Sequence, residues 1–335
     1  MFCGVPMQHN NCIFLFLTES CNLRCAHCYV SSGPGVGISM SIEVVSAALN
    51  LASALGISDV RLTGGEPTVH PKFKHIVDLA EQRSLRIGLV SNGVRFSNKS
   101  LSHTMLQRLS RCWISLYGPT PQDHGRLGGK GARPFLAVVE QVGSYTNAGY
   151  PVGLSVLVEP GAEQHVDALL QTAADCGVSR LRLLPLQPDG RANDTKISWQ
   201  GWPEEVLRIA RVLREHPVAT RFSQLTINDP FDLGKQHASA AASCLLHSRK
   251  MWSIVPNGDI YGCCFGVYSD AFRVGNVMDA DVCERLADPR RTRDVSRGCH
   301  GLVQGFWKDA AAVSISCPIS CIDPRAVSLR ENADH

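Results

Sequence analysis

At 335 residues the chain is long enough for a barrel-sized domain with a smaller one attached. Apolar residues make up 44% and charged residues 19%, which excludes disordered and fibrous classes. The 33 basic and 30 acidic residues leave a net charge of +3, too small to argue for a nucleic-acid or membrane surface. Fourteen cysteines are too few for a disulfide scaffold yet more than an ordinary intracellular fold needs. The stretch Met1 to Glu19 holds no Lys or Arg, and its apolar run Cys12–Leu17 is too short for a signal peptide or a membrane span. The expectation is a soluble, cytoplasmic protein whose clustered cysteines stay reduced and bind metal.

Short β-branched runs alternate with amphipathic stretches through the first two-thirds of the chain. Strands are predicted at Cys12–Leu17, Asp59–Leu62, Arg86–Val90, Trp113–Leu116, Val152–Val158 and Arg180–Leu184. Helices are predicted at Ser41–Leu55, Phe73–Gln82, Leu101–Leu109, Phe135–Ala148, Glu163–Cys176 and Glu204–Glu215. The first opens on Ser39 or Ser41 ahead of Glu43, a capping signature, and the last on Pro203. Such alternation means βα units and a parallel sheet. Six units fall short of an eight-unit barrel, so the fold class is α/β: a partial, TIM-like (β/α)6 barrel over residues 1–215 with its chemistry at the C-terminal strand ends. Residues 216–243, broken by Pro230 and Gly234, read as a connector. From residue 244 to 335 helical periodicity fades and cysteines concentrate, which marks a small cysteine-rich α+β domain.

Directly after the first strand stands Thr18-Glu-Ser-Cys21-Asn-Leu-Arg-Cys25-Ala-His-Cys28-Tyr29. Three thiolates on one strand-exit loop can bind three irons of a four-iron cube and leave the fourth without a protein ligand. A structural zinc site would want a fourth local ligand, and His27 is wedged between two cysteines. Gly64 and Gly65, followed by Glu66 and Pro67, stand at the second strand exit, where two glycines let the backbone approach a ligand and the Glu66 carboxylate can accept from an ammonium group.

These two motifs together resemble the radical S-adenosylmethionine (radical SAM) superfamily. The resemblance implies that Cys21, Cys25 and Cys28 hold a [4Fe-4S] cluster whose open iron chelates S-adenosylmethionine. It implies that reductive cleavage, fed by an external one-electron reductant of the flavodoxin or ferredoxin type, yields a 5′-deoxyadenosyl radical that abstracts a substrate hydrogen atom. Tyr29, Gly64, Gly65, Glu66 and Pro67 then belong to the cofactor site, joined by Ser91 and Asn92 after the third strand, Ser115 on the fourth and Ser155 on the fifth. The stretch Arg182–Arg191 looks like the sixth-strand exit, whose backbone flanks adenine.

The context around Pro256-Asn257-Gly258-Asp259 looks like a C-terminal SPASM or twitch domain, with a hairpin turn that would bring Cys244 and Cys263 together. With Cys317 and Cys321 they would hold one auxiliary [4Fe-4S] cluster; two clusters, or zinc on the same four thiolates, are the alternatives. Cys264, Cys283 and Cys299 are candidate hydrogen-atom donors, as an epimerase would need.

Asp123 and His124 lie on a glycine-rich segment after the fourth strand, read as a loop able to close over substrate. It is no phosphate loop: a Walker pattern ending at Gly129-Lys130 needs Gly at 124 and Ser or Thr at 131, where His124 and Gly131 stand. Only 20 residues precede Cys21, which leaves no room for a leader-recognition module. The expected reaction is therefore dehydrogenation or epimerisation of a small, sugar-like or aminoglycoside-like natural product. Modification of a ribosomally made peptide is the close alternative, and a non-catalytic iron–sulfur redox protein the alternative from another class.

Overall fold

The computed structural model describes residues 12–97, 99–186, 190–194, 197–198, 200–228, 251–264, 266–288 and 321–322. In chain order the elements begin with β1 (Cys12–Phe16), α1 (Ile42–Ala54), β2 (Asp59–Thr63), α2 (Phe73–Glu81), β3 (Arg86–Ser91), α3 (Lys99–Leu106) and β4 (Arg111–Leu116). They continue with α4 (Pro121–Gly128), α5 (Phe135–Asn147), β5 (Val152–Val158), α6 (Val166–Asp175), β6 (Arg180–Pro185), α7 (Trp202–Glu215) and β7 (Gln224–Asn228). The last are β8 (Met251–Ile254), β9 (Asp259–Tyr261), β10 (Arg273–Asn276), α8 (Val282–Ala287) and β11 (Cys321–Ile322).

The described strands all join one sheet in the order β10-β9-β8-β1-β2-β3-β4-β5-β6-β7-β11. Neighbours from β8 through β1 to β7 pair in parallel, and the flanking strands pair antiparallel. The fold is the partial barrel expected from the alternation. Its outer faces bury one continuous core, with Ile13, Leu15, Leu62, Leu89, Ile114, Leu154, Leu183 and Leu225 packed under helix residues such as Val45, Leu49, Ile76, Leu170 and Leu213. Ser41 is the cap of α1: its hydroxyl accepts from Val44 N–H and donates to the Glu43 carboxylate.

Two differences change the domain picture. Residues 224–228, inside the expected connector, form β7, with Leu225 and Ile227 wholly buried between polar neighbours. Five residues with only two inward apolar positions give too little pattern to read against a polar background. The described part of the C-terminal region is also not a separate core. β8 pairs in parallel with β1, and Trp252, Ile254, Ile260, Val277 and Leu286 belong to the barrel's own hydrophobic cluster. The Pro256–Asp259 hairpin between β8 and β9 forms as expected.

Candidate active site

The three-cysteine loop leaves the top of β1 and is held from several sides. Cys21 N–H donates to Gly33 O, Ala26 N–H to Leu127 O, and His27 Nδ1–H to the same Leu127 carbonyl. Arg191 clamps the loop from the exit of β6: its Nε reaches Cys25 O at 2.8 Å, its terminal nitrogen Ser32 O at 2.8 Å, and its backbone N–H Cys28 O. Gly190, at φ +54°, lies so close that a Cβ there would stand 2.4 Å from Tyr29 O. Burial drops the His27 pKa to about 4, so the ring is neutral and spent on Leu127 rather than on a metal.

Cys21 and Cys25 are buried and Cys28 half-buried. Burial first, and then neighbouring negative charge, push the Cys21 thiol up to about 11 and Cys25 up to about 12. Without a cation these thiolates are disfavoured; a bound metal inverts that balance. Donors already point at the sulfurs: Leu23 N–H and Asn92 Nδ2 reach Cys21 Sγ, and the Tyr117 hydroxyl faces Cys25. Hydrogen bonds of this kind tune iron–sulfur sites.

The glycine turn at the exit of β2 grips the same loop. Gly65 N–H donates to Thr18 O and Glu66 N–H to Ser20 O, and a Cβ on Gly65 would stand 2.3 Å from the Ser20 carbonyl oxygen. The Glu66 carboxylate, 1% exposed, is filled largely by the protein itself. Its Oε1 accepts from Thr68 N–H, Thr68 Oγ1 and Ser91 Oγ, and its Oε2 from Asn92 N–H at 2.8 Å. Burial raises its pKa and these donors oppose the rise. Glu66 therefore ties the β2 exit to the β3 exit while lining the cavity wall. Pro67 starts the short helical turn behind it and is not among the cavity's lining residues.

A cavity of about 360 Å³ opens over the strand ends. The structure brings to its wall Cys21, Cys25, Cys28, Tyr29, Gly64, Gly65, Glu66, Ser91, Asn92, Ser115, Ser155 and Cys264. Burial, then the charges of Cys264, Cys28 and Cys263, push the Tyr29 phenol up, so that ring bridges the cluster loop and the Cys263–Cys264 pair. Cys263 is buried with Cys12, Phe16 and Tyr261 in the apolar cluster under the hairpin.

Three expected residues stand elsewhere. Asp123 and His124 are not on an open loop but in α4, which Thr120 caps. Asp123 accepts from Thr120 Oγ1 and pairs with Arg126, while His124 accepts Tyr117 N–H at Nδ1 and donates from Nε2 to Arg133 O. Both are fully used in holding the β4–α5 connection, and neither lines the cavity. Cys283, on α8, packs against the main core. Cys244, Cys299 and Cys317 lie outside the described residues. Of Cys321 only the strand is placed: β11, paired with β7, at the opposite end of the sheet order from β9.

The donor set fits a multi-iron cluster. Three thiols from one loop share a cavity wall, the number that three irons of a four-iron cube need. The turn that would meet a chelating amino acid admits no Cβ at Gly65. The profile of the Radical SAM superfamily matches residues 15–170, the span that carries all of this. Residues 15–170 form a radical SAM domain.

As a radical SAM enzyme it uses a [4Fe-4S] cluster and S-adenosylmethionine. It is 29% identical over 271 residues to the mycofactocin maturase MftC of Mycolicibacterium smegmatis, covering 80% of this chain and 67% of that one. Its fold is similar to that of SuiB of Streptococcus suis bound to S-adenosylmethionine, at TM-score 0.69 and 13% identity over 87% of this chain and 68% of that one. SuiB bound to its precursor peptide SuiA matches at TM-score 0.66, with 13% identity over 85% of this chain and 67% of that one. The enzyme anSMEcpe with AdoMet and the Cp18Cys peptide matches at TM-score 0.65, with 19% identity over 85% and 81%. Among the described residues no helix is long and apolar enough to cross a membrane.

Sequence reasoning missed Arg191, Gly190 and Tyr117 as supports of the cluster loop. The arginine and the glycine lay within a recognised strand exit, but nothing in their spacing announced a contact with Cys25, 166 residues earlier.

Proposed function

We propose that this radical SAM enzyme modifies a peptide, in place of the small sugar-like molecule that the sequence favoured. The observation that carries the reading is the likeness to a maturase across 80% of this chain, well beyond the residues that hold the cluster. The fold likeness to two enzymes solved with peptides supports it.

Cys21, Cys25 and Cys28 would hold the cluster, with Gly64, Gly65, Ser91, Asn92, Ser115 and Ser155 around S-adenosylmethionine and Tyr29 packed beneath the loop. When bound, the two cofactors supply a 5′-deoxyadenosyl radical that takes a hydrogen atom from the substrate. Glu66, Asn92 and Arg191 fix the loop on which this depends. We assign one auxiliary [4Fe-4S] cluster to Cys244, Cys263, Cys317 and Cys321, and place the enzyme in a reducing cytoplasm with an external one-electron donor. The cluster would accept the second electron in a dehydrogenation. Epimerisation would rest instead on Cys264, a residue of the cavity wall, as the donor that returns a hydrogen atom.

The test incubates the anaerobically reconstituted protein with S-adenosylmethionine, dithionite and, one at a time, candidate peptides from short reading frames flanking its gene, in D2O. The expected result is 5′-deoxyadenosine together with a change in peptide mass. Loss of two hydrogens indicates dehydrogenation, and gain of one deuterium that disappears in Cys264→Ala indicates epimerisation. 5′-Deoxyadenosine with an unaltered peptide overturns the peptide reading; its formation by Cys25→Ala overturns the cluster assignment.

A further inference from the structure

The cysteine loop is clamped by a cation whose charge has so far been given no task. Arg191 follows the exit of β6 and lies in the cavity wall with Cys21, Cys25 and Cys28. Its nitrogens are spent on the loop: Nε on Cys25 O and a terminal nitrogen on Ser32 O, each at 2.8 Å, and the backbone N–H on Cys28 O at 3.1 Å. The two side-chain acceptors stand on either side of Cys28, so the planar fork is held at two points and the guanidinium keeps one place. Gly190 permits the approach, since a Cβ there would stand 2.5 Å from Cys28 O.

Both side-chain acceptors are neutral carbonyls, and among the described residues no carboxylate pairs with this guanidinium. Its charge is felt at Cys25 and at His27. Cys21, at the other end of the motif, meets the opposite sign from the Glu66 carboxylate. Arg24, inside the motif, is exposed, and water and salt screen its charge. Arg191 therefore brings a fixed positive charge to the Cys25 side of the loop.

One-electron reduction makes a thiolate-bound iron–sulfur cube one charge more negative, and a nearby cation favours the more negative state. We propose that Arg191 sets the reduction potential of the cluster held by Cys21, Cys25 and Cys28, raising it so that the external one-electron donor can fill it. The electron passes from that donor to the cluster, and the guanidinium, charged throughout, exchanges no proton. Arg191 is thus a positioning residue with an electrostatic task beyond its clamp on the loop. The proposal rests on the assignment of the three cysteines to the cluster and is independent of whether the substrate is a peptide.

A potentiometric titration of the anaerobically reconstituted protein, followed by electron paramagnetic resonance, tests this. The signal that shifts on adding S-adenosylmethionine marks the cluster with the open iron. Arg191→Gln keeps an N–H donor and drops the charge; Arg191→Lys keeps the charge and drops the planar fork. The Gln variant should disfavour reduction about tenfold, a midpoint about 59 mV lower, and the Lys variant should move by less than half of that. Arg208→Met, which removes a surface charge paired with Glu163, should leave the midpoint in place. At full iron content, an unmoved midpoint in Arg191→Gln overturns the proposal. An equal fall in Arg191→Lys overturns it as well, because the fork and not the charge would then be the cause. A fall in Arg208→Met as large as in Arg191→Gln would reduce the effect to net charge and defeat it too. If both Arg191 variants lose their iron, the arginine is a clamp alone and the proposal falls. Wild-type signals indifferent to S-adenosylmethionine would overturn the cluster assignment and this inference with it, whereas a lowered midpoint with no peptide turned over would defeat the peptide reading alone.

Discussion

Replacing Glu66 by glutamine measures how the two strand exits around the cofactor site are held together. Three backbone or side-chain groups reach Oε1 and one reaches Oε2, all drawn as donors to a carboxylate. An amide keeps one acceptor oxygen and turns the other corner into a donor. With the NH2 at Oε2 it meets Asn92 N–H; at Oε1 it meets Thr68 N–H. Either way one charge-assisted bond is lost, worth about 1.5–3 kcal/mol, and one buried N–H is orphaned at about 1–3 kcal/mol. Allowing for local relaxation, the expected cost is on the order of 3 kcal/mol, a fall in Tm on the order of 6–12 °C. The assay is thermal unfolding of the reconstituted protein under anaerobic conditions, read beside the Kd for S-adenosylmethionine, which should rise because Asn92 also points at Cys21. Burial pushes the Glu66 carboxyl up and the donors hold it down. Were burial to win, glutamine would mimic the protonated acid closely. An unchanged Tm and Kd would therefore refute the reading of Glu66 as an ionised tie between β2 and β3.

Gly65→Ala should lower reconstituted iron by about four per chain with an unaltered far-UV spectrum, since its Cβ would collide with Ser20 O at 2.3 Å; full iron content would show that the loop can give way. The Cys21/Cys25/Cys28→Ala triple variant should retain about four irons per chain if one auxiliary cluster exists, and no residual iron would remove the proposed electron acceptor. Burial lowers the His124 pKa, so the folded ring refuses a proton that the unfolded chain takes up near pH 6.5. Stability then falls as pH drops below about 6.5. His124→Asn should be less stable at neutral pH but show a shallower loss between urea midpoints taken at about pH 7.5 and 5.5, and an identical slope would place the titration elsewhere.

The barrel was legible because its strands bury one face under helices, so β-branched runs and amphipathic stretches alternate at a spacing that local pattern reveals. β7 escaped for the same physical reason: with two buried apolar residues in five, its signal is no stronger than a polar linker's. The Asp123–His124 segment misled for a different reason. Glycines and a proline suggest mobility, but Thr120 caps α4, and both His124 nitrogens find partners in the backbone on either side. A histidine beside an aspartate near a strand exit looks like chemistry until its hydrogen bonds are traced.

The site itself divides along a similar line. Residues that meet the cofactors sit on short loops at strand exits, so their spacing is confined to a few residues and can be read as a motif. Residues that hold those loops in place act through contacts far apart in sequence: Leu127 O on Ala26 and His27, Arg191 on Cys25 and Ser32, Asn92 on Cys21. The folded sheet alone creates these pairs, by setting the exits of β1, β3, β4 and β6 around one opening.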